Sequence, residues 1–72
     1  MNKRKLYAMM ALHGDTGGSL AEALGIARTT FSAKINETNG AEFTQTEILN
    51  IKRRYILSPE QIDEIFFENK LS

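Results

Sequence analysis

Apolar positions recur at three- and four-residue spacing in short runs bounded by capping or turn residues, a pattern that predicts helices. Leu6, Met9, Met10 and His13 share one side of a helix over residues 3–13, with Gly14 as a left-handed stop. Thr16 is a candidate N-cap for a short second helix, in which Leu20, Ala21 and Leu24 form the buried stripe and Gly25 ends it. Phe31 and Ile35, four apart, give residues 27–36 a third helix whose outer side carries Arg28, Thr29, Ser32 and Ala33. Residues 36–43 read as the one extended loop. Thr44-Gln45-Thr46-Glu47 spells a capping box, opening a fourth helix with Ile48, Ile51 and Tyr55 on one face. Ser58-Pro59-Glu60-Gln61 repeats the logic with proline at the first helical position, and Ile62, Ile65 and Phe66 form the stripe of a fifth helix. The chain has no valine, and neither Gly17-Gly18 nor Asn39-Gly40 is flanked by alternating apolar runs, so strands are not expected.

The second and third predicted helices are joined by a turn of about three residues, as a helix-turn-helix requires. The stretch runs Leu20-Ala21-Glu22-Ala23-Leu24-Gly25-Ile26-Ala27-Arg28-Thr29-Thr30-Phe31. Ala21 must be small where the third helix crosses over it, Gly25 takes the left-handed turn conformation, and Leu24, Ile26 and Phe31 plug the junction. The fold expected is all-α, five short helices in a single domain over residues 1–72, with the helix-turn-helix at about residues 17–36.

Composition narrows the function classes. With 72 residues, 42% hydrophobic and 25% charged, the chain can build one small core, which leaves little room for a deep substrate cavity. It has no cysteine, which excludes disulfides and thiolate zinc sites and suits the cytoplasm. Apolar runs fall far short of the ~20 residues a membrane span needs, and no leader-like apolar run opens the chain. No membrane partner is expected. No base, metal set or glycine-rich phosphate loop accompanies the serines, threonines and carboxylates, so no enzyme activity, metal or cofactor is expected. The nine basic and nine acidic residues cancel, yet the first 36 residues hold five basic against two acidic and the rest four against seven. That asymmetry suggests one polar face for an anionic partner and another for something else.

Over almost its whole length the sequence resembles the lambda-repressor-like, Cro-type domains of temperate phages. The resemblance rests on Leu20-Ala21-Glu22-Ala23-Leu24-Gly25, on Lys34-Ile35-Asn36 at the end of the third helix, and on Ile65-Phe66-Phe67. Within that group it is most similar to small lactococcal phage regulators that antagonise the lysogenic repressor. The resemblance implies a transcriptional regulator of the lysis–lysogeny switch, acting in the host cytoplasm. It implies two candidate partners, the phage repressor and operator DNA. In one mechanism the chain is an antirepressor that masks the repressor's DNA-reading surface, with or without DNA bound alongside. In the other it dimerises and occupies operator half-sites about 34 Å apart, as Cro-like repressors do.

The candidate face, for DNA or repressor, comprises Arg28, Thr29, Ser32 and Ala33 on the third helix and Glu22 on the second. In a major groove, Arg28 would pair with guanine and Thr29 would meet a thymine methyl. Against a repressor, Glu22, with Asp15 and Glu42, would offer acceptors to basic and amide side chains. Thr16, Gly17, Gly18, Lys34, Asn36, Thr44 and Gln45 are candidates for phosphate or rim contacts, although capping alone accounts for Thr44. The resemblance departs from stronger DNA readers at Gly17 and Gly18, where long polar side chains often buttress the recognition helix, and at Ala33, which offers only a methyl. Both departures, with the zero net charge, favour the antirepressor. His13 reads as a helix-end residue, Lys52-Arg53-Arg54 as a splayed, solvated run, and Lys3-Arg4-Lys5 as either a phosphate-touching arm or a plain basic terminus. Phe66 and Phe67 stand about 100° apart on a helix, too far for one stripe. Either the tail with Leu71 folds back over the first helix, or one phenylalanine serves a dimer contact.

Overall fold

The computed structural model describes residues 1–67, which form five α-helices and, among the described residues, no strand. They are α1 (Lys3–Leu12), α2 (Gly17–Leu24), α3 (Arg28–Ile35), α4 (Gln45–Tyr55) and α5 (Pro59–Phe66), with a 3-10 turn at Thr38–Gly40. The starts follow the caps. Thr44 accepts from the Glu47 N–H and the Glu47 carboxylate accepts from the Thr44 N–H, and Ser58 and Gln61 do the same at α5. Asn2 caps α1, and Thr16 caps α2 through a reciprocal box with Ser19. Only α3 lacks a side-chain cap, because its N-cap is Ala27.

One core collects the stripes. Leu6 and Met10 of α1, Leu20 and Ala21 of α2, Phe31 and Ile35 of α3, Ile51 and Tyr55 of α4, and Ile62 and Ile65 of α5 are buried together with Phe43 and Leu57 from the connections. Each fully buried Leu, Ile, Met or Phe contributes about 1.5–3 kcal/mol. Phe31, Phe43 and Phe66 run edge-to-face through it, with ring centroids 5.7 and 5.9 Å apart. α2 lies against both α3 and α4, while α1 lies against α5, where the Asn2 N–H donates to the Ile65 carbonyl at 2.7 Å.

Several expectations need correction. α1 stops at Leu12, one residue short of the expected 3–13, and His13 is exposed rather than part of the buried stripe, although as C-cap it holds the helix-end position expected of it: its Nδ1 lies 3.0 Å from the Met9 carbonyl and its ring lies against Tyr55. α3 is shorter by one residue at each end than the predicted 27–36. The 36–43 segment carries the 3-10 turn, held by Glu37 and Asn39 in the left-handed region. Phe66 reaches Phe43 and serves the core, whereas Phe67 is exposed; Leu71 lies outside the described residues.

Candidate functional site

The candidate face is assembled by the junction of α2 and α3. Gly25 ends α2 at φ 74°, ψ 28°, a left-handed conformation that lets its N–H reach back to the Glu22 carbonyl and redirects the chain through Ile26 and Ala27 into α3. Ala21 is buried at this junction, Phe31 closes it from α3, and Leu24 and Ile26 pack at its edge. With Phe31 and Ile35 turned inward, Arg28, Thr29 and Ser32 are exposed on the outside of α3, and Glu22 is exposed on α2. Ala33 is half-buried, so its methyl contributes less surface than expected.

Between α1, α2 and α3 the surface dips into an open groove of about 400 Å³, lined by Tyr7, Gly17, Gly18, Arg28, Phe31 and Ser32. Gly17 and Gly18 are half-buried and line this groove. Tyr7 is 44% exposed and carries no sequence signal for this site, because it sits on α1 outside the apolar stripe and no local pattern links it to α2 or α3.

The rim residues are largely committed to internal contacts. Lys34 Nζ donates to both Glu47 oxygens, at 2.7 and 2.8 Å, with both side chains mostly buried. This removes Lys34 from the free phosphate contacts expected of it. Glu47 loses solvation by burial, which raises its pKa, but the hydrogen bonds from Lys34 and the Thr44 backbone outweigh that and hold the carboxyl below its ordinary value. Asn36 accepts from Lys3 at 2.7 Å and donates to the Ser32 carbonyl at 3.0 Å. The hydroxyls of Thr16 and Thr44 are occupied as helix caps, whereas Gln45 is exposed at the start of α4.

Asp15, expected to offer an acceptor to a partner, is also taken. Arg54 donates to its two oxygens through Nε and Nη2, both at 2.8 Å, the Tyr55 hydroxyl donates at 2.6 Å and the Ser19 hydroxyl at 2.7 Å. Only 7% of the Asp15 side chain is exposed. The Arg54 hydrogen bond holds its carboxyl well below the usual carboxylate range, with Tyr55 and Ser19 adding to the effect and burial opposing it. Burial and the Asp15 carboxylate in turn raise the Tyr55 phenol above its ordinary value.

Among the described residues, no cluster of three His, Cys, Asp or Glu side chains is placed to hold a metal, and no helix is long and apolar enough to cross a membrane. Compared with protein families, curated proteins and solved structures, the chain matches none.

Proposed function

We propose that the chain is a lambda-repressor-like helix-turn-helix regulator of a temperate phage, of the modulator-of-repression type, which binds the lysogenic repressor and masks its DNA-reading surface. The α2–turn–α3 unit supplies the helix-turn-helix, and the host cytoplasm is its place of action. The observation that carries this choice is the internal neutralisation of cations near the face. Lys34 is paired with Glu47, and Arg54 with Asp15, while Glu22 is exposed on α2. A duplex is held mainly by cations free to displace counterions from its phosphates, and this face supplies few. A repressor's DNA-reading surface is already furnished with basic and amide groups. It is complementary to a face carrying Glu22, Thr29 and Ser32 as acceptors and a half-buried Ala33 as apolar surface.

Occlusion then follows from geometry, because one surface cannot hold both this protein and a duplex. Reversing Glu22 to lysine should weaken the complex at least tenfold in calorimetry with the purified repressor. Reversing Glu60, exposed on α5, should leave it unchanged. No heat of binding from the wild-type pair, or loss through Glu60→Lys alone, would contradict the reading.

The exposed Arg28, Thr29 and Ser32 favour a second reading, direct operator binding as a Cro-like dimer. In that case Arg28→Ala should relax selectivity at one base pair and cost about 1–3 kcal/mol. Footprinting with the protein alone separates the two: protection supports the dimer, and no protection even at low salt removes it.

A further inference from the structure

Gly18 is the second residue of α2, in a helical position where alanine is ordinarily the better residue by about 1 kcal/mol. Its φ is not in the left-handed region, so no backbone demand selects glycine. What a side chain there would meet is Arg28. A Cβ at Gly18 would stand 3.0 Å from Nε, 3.3 Å from Nη2 and 3.4 Å from Cζ. The guanidinium therefore lies against the bare backbone of α2. Gly17 differs, since a Cβ there would meet only the Phe31 ring, at an ordinary 3.5 Å.

Arg28 is seated but unpaired. The ion pairs among the described residues are Met1 with Glu37, Lys5 with Glu64, Lys34 with Glu47 and Arg54 with Asp15; none involves Arg28. It borders the groove that Tyr7, Gly17, Gly18 and Phe31 line together with the hydroxyl residues Thr29 and Ser32. An exposed guanidinium that lies against bare backbone, beside the Tyr7 ring and outside the ion pairs among the described residues, suits a carboxylate on a short apolar stem. Glycine at position 18 leaves room for the guanidinium against α2, and its planar fork of donors matches two carboxylate oxygens.

We propose that this groove is an anchor pocket for a glutamate or aspartate side chain of a partner protein, with Gly18 as the residue that sets Arg28 in place and Tyr7 as its aromatic wall. The proposal rests on the reading of the face as a protein-binding surface and names the chemistry that it selects. A phosphate of a duplex is the poorer occupant. A duplex would bring further phosphates against α2 and α3, where Glu22 is exposed and Lys34 is already neutralised by Glu47.

The test uses the ¹⁵N-labelled protein and an acetylated, amidated Leu-Glu-Leu peptide, its Leu-Gln-Leu counterpart and inorganic phosphate. The Glu peptide should shift the Arg28 Nε–H signal and the amides of Tyr7 and Ser32, and the Gln peptide should not. Gly18→Ala should weaken that response at least tenfold while melting at or above the wild-type temperature. Asn50→Ala, a similar gain in helix propensity on the exposed face of α4, should respond as the wild type does. Equal shifts from both peptides, a stronger response to phosphate, or an unchanged response in Gly18→Ala would each overturn the pocket. Calorimetry with the repressor's DNA-binding domain forms a separate arm. If the peptide response holds but the repressor does not bind, the pocket stands and the occlusion reading fails. If the repressor binds wild type and Gly18→Ala alike, the occlusion reading stands and this groove is not its anchor.

Discussion

At Asp15 an exposed-looking sequence position becomes the tie between the start of α2 and the end of α4. Its folded carboxyl is held below the ordinary value, so its contribution to stability is fully present above the unfolded value near 4 and is lost as pH falls toward the folded one. Glu47, lowered in the same direction, adds to the same loss. Denaturant midpoints should therefore be level from pH 6 to 8 and fall below about pH 5. Asp15→Ala should cost about 1.5–3 kcal/mol at neutral pH, as expected for hydrogen bonds to a charged group, and should flatten the acid limb. An acid limb as steep in the variant as in the wild type would show that Asp15 is not the titrating tie. This network was not legible in the sequence, because Arg54 and Tyr55 lie 39 and 40 residues away and no local pattern pairs them with Asp15. The pairing of Lys34 with Glu47 was hidden for a similar reason. Both residues have plausible solvent-facing readings until the capping box at Thr44 turns the Glu47 carboxylate inward.

The elements were more open to reading than their contacts. The boxes at Thr44 and Ser58 fix the starts of α4 and α5 to the residue, because the Glu or Gln three positions on is a distinctive signal. The box at Thr16 uses Ser19 instead, so only its first half could be anticipated. Outer-face spacing correctly placed Arg28, Thr29 and Ser32 on the surface, whereas the exposure of Ala33 was overestimated. Ile56 had no sequence signal at all. It ends α4 at φ 52°, ψ 53°, a conformation strained for a β-branched residue, and it is 87% exposed. Ile56→Gly should raise stability by about 1 kcal/mol in thermal melts, because it relieves that strain and removes no core contact. At the other junction Ala21, 1% exposed, has no room for growth, and Ala21→Leu should cost about 1–3 kcal/mol by overpacking. Gly25→Val should cost at least as much, since valine must enter the left-handed region. Gly40 also has positive φ, so Gly40→Ala carries a strain term despite the open space around it. A melt of Ala21→Leu indistinguishable from the wild type would remove the tight α2–α3 crossing from the account.

At the scale of the whole molecule, charges of the basic first half meet charges of the acidic second half. They partly neutralise each other across the fold. Lys5 of α1 meets Glu64 of α5, Lys34 of α3 meets Glu47 of α4, and the amino group of Met1 meets Glu37. The exposed Lys5–Glu64 pair, at 3.4 Å, contributes about 0–1 kcal/mol and matters more for the surface potential than for stability. What remains around α2 and α3 is a mixed surface, with Glu22 exposed and Arg28 outside the ion pairs among the described residues.

In the proposed function, the α2–α3 surface and a duplex compete for the repressor. This competition is tested most directly by following the anisotropy of a labelled operator duplex, first saturated with the purified phage repressor and then titrated with this protein at constant salt. If the protein masks the repressor, the anisotropy falls to the value of the free duplex as the protein is added. Glu22→Lys then requires at least tenfold more protein, and the protein alone leaves the free duplex unchanged. An anisotropy that stays at the repressor-bound level, or a free duplex bound by the protein on its own, would contradict the proposal.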